Sequence, residues 1–270
     1  MPELPEVESA RSVIDRGGLH RTIIGVDDSD TWECRPHLPG EIRDALVGHR
    51  LTAAHRRGKS IWCDVGGDGS PTLGIHLGMS GRILVSGPGG TAEGGDYQGT
   101  GRRADPARRR EEWFRFTLEF EDGGALRLLD PRRLGRVRLD PDVDALGPDA
   151  AEVGREEFRE RVGRGRLPVK ARLLDQSSIA GVGNLLADEV LWRARLDPRR
   201  PAGELSVEEL DGLRRQVRAA VRSAIRHGGV HTLEVVAHRG PSGHCPRCGA
   251  EMRRATVGGR TTWFCPREQV

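Results

Sequence analysis

The sequence predicts an α+β multidomain fold, with an N-terminal β-sandwich behind a leading helix, a helical domain, and a C-terminal β-hairpin. Between about residues 19 and 140, short apolar alternations are broken by Gly, Pro and Asp, a pattern typical of a sandwich or barrel. After residue 147 the apolar spacing becomes helical, and the last 35 residues contain a CxxC motif and a Gly-Gly turn. The predicted domains are 1–145, 146–235 and 236–270.

The β-rich part is predicted to begin with a helix over Val7–Arg16, which has apolar residues along one face. Eight strands are predicted behind it: Ile23–Val26, Arg50–Ala54, Ser60–Val65, Thr72–Leu77, Arg82–Val85, Phe114–Phe120, Ala125–Leu129 and Arg136–Leu139. Residues 86–112 are rich in Gly, then in Arg, with almost no apolar residues, so we predict a disordered insertion there. Its arginines could touch phosphate or form a solvated loop.

Helical periodicity predicts four helices, with Ser206 as the N-cap of the last: Glu156–Val162, Val169–Leu174, Leu185–Arg193 and Val207–His227. Beyond them, a strand over Thr261–Phe264 follows the Gly-Gly turn, which predicts a small hairpin.

The composition is that of a soluble chain with a formal net charge of +3, which permits nucleic-acid binding without demonstrating it. No apolar run reaches the roughly 20 residues of a membrane span, and the N-terminus does not resemble a secretory signal. We therefore expect a cytoplasmic, nucleoid-associated monomer without membrane contact. Lys59 and Lys170 are the only lysines among 43 basic residues; they are either chance survivors or positions that need a compact ammonium.

The N-terminus offers a nucleophile if the initiator methionine is removed, because Pro2 would then carry a free secondary amine. An α-amine titrates near 7.7–8.0, so a sizeable fraction is unprotonated at neutral pH. Glu3 beside it could donate or accept a proton.

The opening MPELPEVE closely resembles the formamidopyrimidine-DNA glycosylase and endonuclease VIII family. The resemblance continues in order through nearly all of the chain outside 86–112: RRGKS at 56–60, HLGMSGR at 76–82, DPRRLG at 130–135, LGP at 146–148, LLDQSSIAGVGNLLADEVLWRARLDP at 173–198, and GGRTTWFC at 258–265. It implies a bifunctional DNA glycosylase and AP lyase of base excision repair, acting on damaged double-stranded DNA. It also implies that 173–198 is a helix–two-turn–helix element and that the terminal hairpin is zinc-ribbon-like.

The resemblance assigns the catalytic roles. Pro2 would attack C1′ and displace the base as a Schiff base forms, and β,δ-elimination would then cut the strand. Glu3 matches the acid that helps open the sugar ring, and Glu6 a supporting acid. Acids at a helix N-terminus, such as Glu6 and Glu8, also have a purely structural explanation in the helix dipole. Lys59 matches a lysine that holds phosphate and assists the chemistry.

The DNA-binding roles follow in the same way. Met79 and Arg132 match residues inserted into the duplex when the base is flipped, and Leu134 replaces the family's aromatic wedge. Lys170 matches a lysine near the base pocket, and Arg260 an arginine that grips phosphate. Asn184 follows two glycines at a helix N-terminus, where backbone amides and its side chain could approach phosphate.

The cysteines Cys245, Cys248 and Cys265 have zinc-ribbon spacing, but Glu268 stands where the fourth cysteine is expected. Glu268 or the nearby His244 could complete a structural zinc site, and a metal-free ribbon is the alternative.

Only about fifteen residues separate Gly229 from Cys245, so the segment that covers a flipped 8-oxoguanine in specialised members is missing. Oxidised pyrimidines, formamidopyrimidines, hydantoins or abasic sites are at least as plausible as substrates. An inactive damaged-DNA-binding paralogue is the alternative function.

Overall fold

The structure, a computed structural model, describes residues 2–95 and 109–270. The chain divides into two compact units: Pro2 with Glu6–Val143 form the first, and Glu3–Pro5 with Asp144–Val270 form the second. Helix α1 (Leu4–Gly17) therefore begins with residues of the second unit and continues in the first.

After α1, the described part of the first unit contains one further α-helix and nine strands: α2 (Glu41–Leu46), β1 (Ile23–Asp27), β2 (Leu51–Arg57), β3 (Ser60–Val65), β4 (Leu73–His76), β5 (Arg82–Gly87), β6 (Gly90–Gly95), β7 (Phe114–Phe120), β8 (Ala125–Leu129) and β9 (Arg136–Leu139). The strands form two antiparallel sheets, ordered β1-β7-β8-β5-β6 and β2-β3-β4-β9. Both sheets and α1 contribute side chains to one apolar core, which makes this unit a β-sandwich.

The predicted leading helix and all eight predicted strands are confirmed, and α2 and β6 are additions. Helix α2 escaped prediction because its N-terminus is capped by a residue distant in sequence. The Asp28 carboxylate accepts hydrogen bonds from the amides of Gly40, Ile42 and Arg43.

The predicted disordered insertion over 86–112 is wrong at both ends. Residues 86–87 complete β5, Gly90–Gly95 form β6, and Glu111–Trp113 form a 3-10 helix; residues 96–108 lie outside the described part. Strand β6 is poor in side chains, but its backbone pairs along the whole of β5, from Arg82↔Gly95 to Gly87↔Gly90. Backbone pairing with a neighbouring strand therefore overrode the low strand propensity of glycine.

The second unit contains four helices around an apolar core and a two-stranded hairpin. They are α3 (Arg155–Val162), α4 (Val169–Leu174), α5 (Asn184–Ala194), α6 (Val207–His227), β10 (Arg253–Val257) and β11 (Arg260–Phe264). All four predicted helices and the predicted hairpin are confirmed. Among the described residues, no helix is both long and apolar enough to cross a membrane.

Helix α6 begins with a capping box, as Ser206 predicts. The Ser206 hydroxyl accepts from the Glu209 amide at 3.2 Å, and the Glu209 carboxylate accepts from the Ser206 amide at 2.7 Å. Both bonds satisfy amide donors that would otherwise lack a partner in the first turn.

Replacing Ser206 by Ala should therefore lower the free energy of unfolding by about 1 kcal/mol, because the exposed cap makes few other contacts. Ser206→Asp keeps an acceptor and should change it by much less. Urea unfolding followed by circular dichroism measures both variants. Equal losses in the two variants would contradict this account of the cap.

Candidate functional site

Three strands of the smaller sheet end in register, and this brings the predicted residues of the first unit together. Ser60 at the start of β3 pairs with His76 at the end of β4, and His76 pairs with Arg136 at the start of β9. The turn that carries Lys59 and the loops 77–81 and 130–135 therefore emerge at the same end of this sheet. Met79, Arg132 and Leu134 lie on those two loops.

Each of the two loops connects one sheet to the other, and one buried carboxylate is hydrogen-bonded to both loops. The Asp130 side chain accepts from the Ser80 hydroxyl of the first loop at 2.8 Å. In its own loop it accepts from the amides of Arg132 at 3.1 Å, and of Leu134 and Gly135 at 2.8 Å each. Asp130 is fully buried, so these bonds compensate the cost of removing its charge from water.

The backbones of the two loops also touch. Gly78 adopts φ +58°, and a Cβ there would lie 2.3 Å from the Leu134 carbonyl carbon. Only glycine both adopts this positive φ readily and leaves room for the Leu134 backbone. The wedge candidates themselves face outward: Met79 is 36% exposed, Leu134 is 44% exposed, and Arg132 is exposed.

The predicted catalytic residues Pro2, Glu6 and Lys59 also belong to the first unit. Pro2 and Glu6 are buried, and Lys59 is half-buried in the β2–β3 turn beside Gly58, whose φ is +59°. The Glu8 carboxylate has structural partners, because it accepts hydrogen bonds from Arg11 and Arg56. Burial raises the pKa of Glu8, but these two arginines outweigh burial and leave the pKa lowered.

In the second unit, Glu3 caps the N-terminus of α5. Its carboxylate accepts from the amides of Gly183 at 3.1 Å, Leu185 at 2.8 Å and Leu186 at 3.0 Å. Glu3 is almost fully buried, and the helix dipole favours its negative charge at this position. The predicted acid is therefore fixed in one orientation by the helix–two-turn–helix element.

The turn before α5 is shaped for this contact. The Gln176 side chain donates to the Leu174 and Val182 carbonyls and accepts from the Gly181 amide. A Cβ at Gly183 would lie 2.3 Å from the Glu3 carboxyl carbon. A side chain at position 183 would therefore displace Glu3.

Asn184 and Arg260 lie where the turn meets the hairpin. The Asn184 amide nitrogen donates to the Thr261 carbonyl at 3.1 Å. Arg260 is exposed at the hairpin tip, next to Gly258 and Gly259, which both have positive φ. Asn184 and Arg260 are thus held on adjoining parts of the second unit.

Lys170 is fully buried, and its predicted place near the base pocket stays a prediction. It pairs with Asp188 at 2.6 Å and donates to the Thr262 hydroxyl at 2.7 Å. Burial lowers the pKa of Lys170, although the Asp188 carboxylate opposes the shift.

Asp188 extends this contact into a network. Its carboxylate also binds Arg239 at 2.7 Å and accepts from the Trp263 amide at 3.2 Å. Lys170 and Asp188 together therefore fix β11, and through it the position of Arg260. Sequence reasoning missed Asp188, although it lies within the 173–198 motif.

The three cysteines come together as their spacing predicts. The sulfur atoms of Cys245, Cys248 and Cys265 all lie within 4.8 Å of one another, and those of Cys248 and Cys265 are 3.5 Å apart. Such a set of thiols can hold a metal ion.

The Glu268 carboxylate lies outside this cluster, and its role as the fourth ligand stays a prediction. Its carboxylate instead pairs with Arg195 and Arg247, at 3.3 Å from each. His244 also lies outside the cluster and forms a β-bridge with Glu251. Two cations within reach of Glu268, from residues distant in sequence, explain its position outside the cluster.

Comparison with known proteins identifies the family. The N-terminal domain of formamidopyrimidine-DNA glycosylase matches residues 1–137, and the H2TH domain of the same enzyme matches residues 145–234. The chain belongs to the formamidopyrimidine-DNA glycosylase family. It is accordingly a DNA glycosylase of base excision repair with AP lyase activity, and the matches give no support to an inactive paralogue.

Relatives and solved structures match over nearly the full length. The formamidopyrimidine-DNA glycosylase of Nocardioides sp. is 34% identical over 98% of this chain and 93% of its own. That of Chloroflexus aggregans is 34% identical over 100% and 99%. A Lactococcus lactis Fpg in complex with abasic-site DNA superimposes with a TM-score of 0.80 at 26% identity, covering 99% of both chains. The same organism's enzyme bound to DNA with an oxidised pyrimidine gives a TM-score of 0.81 at 27% identity and 99% coverage of both chains.

Replacing Gly183 by Ala should reduce strand nicking at an abasic site at least tenfold, because the new methyl group displaces the Glu3 carboxylate. Gly212→Ala is the matched control: its Cβ would have no neighbour closer than 3.7 Å. The control should keep full activity and gain stability, by up to about 1 kcal/mol. Full activity in Gly183→Ala, with an intact circular dichroism spectrum, would show that the position of Glu3 is unimportant.

Proposed function

We propose that this enzyme removes oxidised bases and cuts the strand through the amine of Pro2. The nitrogen attacks C1′ of the damaged nucleotide, and the base leaves with a proton. The C1′–O4′ bond then breaks, O4′ takes up a proton, and an iminium forms between C1′ and the Pro2 nitrogen. This iminium acidifies the C2′ protons, so that β- and then δ-elimination expel the 3′ and 5′ phosphates. The observation that carries the proposal is the fixed carboxylate of Glu3, the residue next to Pro2 in the chain, on the N-terminus of α5.

Glu3 is proposed to move a proton at the sugar ring oxygen as the ring opens. Three amides hold its carboxylate, so it approaches the reaction with little loss of conformational freedom. A carboxylate fixed in this way also suits a role in stabilising the positive charge that develops at C1′. Glu6, buried at the start of α1, is proposed to support this arrangement.

Damaged duplex DNA is the proposed ligand, and each unit has its own proposed contacts. In the first unit, Lys59 contacts phosphate, while Met79, Arg132 and Leu134 enter the space left by the flipped base. The exposure of the last three and the bonds between their loops support this role. In the second unit, Asn184 and Arg260 contact phosphate, and Lys170 acts from the interior by fixing β11.

The proposed substrates are oxidised pyrimidines, formamidopyrimidines and abasic sites, with 8-oxoguanine less favoured. The segment between Gly229 and Cys245 is short and packs against helix α5 of the same unit. Its 3-10 helices, Val230–Thr232 and Val235–His238, lie beside α5, where the Val235 amide donates to Glu189 at 2.7 Å. A segment held this way has little free length to cover a flipped purine.

A structural zinc ion held by Cys245, Cys248 and Cys265 is proposed for the hairpin. The sulfur separations suit zinc thiolate ligation, and the Trp192 indole donates to Cys245 at 3.3 Å, which suits an anionic sulfur. Zinc would stabilise the hairpin that presents Arg260. Glu268 is engaged by two arginines, so we propose that the fourth ligand comes from solvent.

Borohydride trapping tests the nucleophile. Duplexes with an abasic site, an oxidised pyrimidine, a formamidopyrimidine or 8-oxoguanine should give covalent adducts, weakest with 8-oxoguanine. The chain contains only two lysines, so the competing amines are few. Peptide mapping should place the adduct on the N-terminal peptide, and Lys59→Arg should still be trapped.

Pro2→Gly should lose most of the adduct. An adduct mapped to a lysine would overturn the role of Pro2. No adduct with any duplex, despite tight binding and a processed N-terminus, would instead favour a DNA-binding protein without catalysis.

Zinc content tests the hairpin. Purified protein should hold about one zinc per chain by metal analysis. Glu268→Ala should keep it, because Glu268 is not a ligand, whereas Cys248→Ser should lose it. Loss of zinc from Glu268→Ala would restore Glu268 as the fourth ligand, and absence of zinc from all three proteins would support a metal-free ribbon.

A further inference from the structure

The segment 30–37 packs against the loop 130–135 and the start of β9. Asp30 pairs with Arg133 at 2.7 Å, the Trp32 carbonyl accepts from Arg136 at 3.0 Å, and the Glu33 carbonyl accepts from the Val137 amide at 2.9 Å. The loop that carries two of the three wedge candidates therefore rests on this segment.

The carboxyl group of Glu33 lies between the segment 30–37 and the loop 130–135. The residue is fully buried, and neither side-chain oxygen has a hydrogen-bond partner of good geometry among the described residues. A Cβ at Gly135 would lie 2.8 Å from Glu33 Oε2 and 3.3 Å from Asp130 Oδ2, so the two carboxyl groups flank the same point. No other buried carboxyl group in the described ranges is left without partners in this way.

Two carboxyl groups buried together cannot both carry a charge at low cost, so one of them holds a proton. Asp130 accepts four hydrogen bonds, from one hydroxyl and three amides. The Gly135 amide lies near Glu33 as well, but Asp130 already accepts from that amide at 2.8 Å. The proton therefore belongs on Glu33, which can donate it to Asp130.

The surrounding charges support this assignment. Burial, the adjoining carboxylate of Asp130 and the negative charge of Asp30 together raise the pKa of Glu33 to about 8. The nearby cations do not compensate Glu33, because Arg133 and Arg115 both pair with Asp30, at 2.7 and 3.5 Å. Arg115 also donates to the Asp130 backbone carbonyl rather than to a side-chain carboxyl.

We propose that Glu33 is a positioning residue for the DNA-inserting loops: in its protonated form it donates to Asp130, the carboxylate that joins loop 77–81 to loop 130–135. This inference rests on the proposed function, in which Met79, Arg132 and Leu134 enter the duplex. When Glu33 ionises, its charge repels Asp130 within a buried space, and the two loops lose their fixed relative position.

Binding of a duplex that carries a tetrahydrofuran abasic-site analogue tests the proposal without depending on the chemistry of Pro2. The wild type, Glu33→Gln and Glu33→Met are compared from pH 6.5 to 9 at constant salt. Gln keeps a donor towards Asp130 and cannot ionise, whereas Met has a similar shape and no donor. Thermal unfolding of the three proteins is measured over the same range and down to pH 5.

We expect the ratio of the wild-type Kd to the Glu33→Gln Kd to be near one at pH 6.5 and to exceed about five at pH 9. The ratio should rise because Glu33, whose pKa is raised to about 8, ionises in the wild type and cannot do so in the variant. Glu33→Met should bind more weakly than Glu33→Gln at every pH, with the same pH dependence as Glu33→Gln. A ratio that stays constant with pH would overturn the proposal. Failure of all three proteins to bind the duplex at pH 6.5 would instead count against the proposed function.

Thermal stability provides a second, DNA-independent test. Folding raises the pKa of the Glu33 carboxyl group from 4.5 to about 8. Its contribution to the free energy of unfolding is therefore complete below the unfolded-state pKa of 4.5, and it is lost as the pH rises through the folded-state pKa of about 8. The Tm of the wild type should therefore fall relative to that of Glu33→Gln between about pH 5 and 8. Parallel Tm curves would show that Glu33 is not protonated in the folded state.

Discussion

The buried carboxylate of Asp130 is the interaction on which the first half of the site depends. The two loops that present Met79, Arg132 and Leu134 leave different strands, about fifty residues apart in the chain. Asp130 accepts from a hydroxyl of one loop and from three amides of the other. A charge removed from water in this way tolerates little displacement of its donors, because each lost bond leaves it less compensated. The three side chains proposed to enter the duplex are thereby held as a set.

The second unit uses the same physical device at a helix N-terminus. The amides of Gly183, Leu185 and Leu186 lack partners within α5 and bind the Glu3 carboxylate instead. A helix end that often binds phosphate elsewhere is here occupied by a side chain of the protein itself. The helix–two-turn–helix element therefore orients a proposed catalytic group and also carries Asn184, a proposed phosphate contact.

The buried pair of Lys170 and Asp188 shows that a motif residue can serve the structure of the second unit. An ion pair in the interior costs desolvation energy, and it is tolerated here because Arg239, Thr262 and the Trp263 amide complete its hydrogen bonds. The pair links α4 and α5 to β11. The pair thereby fixes the placement of the hairpin, whose tip carries Arg260.

The sequence by itself determined the element types and their order, because period and capping are local properties. Alternation gave eight of the nine sandwich strands, helical spacing gave α3 to α6, and Ser206 marked the start of α6. The linear motifs also located the candidate residues. Tertiary structure alone decided which partners they have: the burial of Lys170, the pairing of Glu268 with two arginines, and the carboxyl group of Glu33 beside Asp130. Such contacts join residues distant in the chain, and their energies depend on burial and on neighbouring charges that no local pattern records.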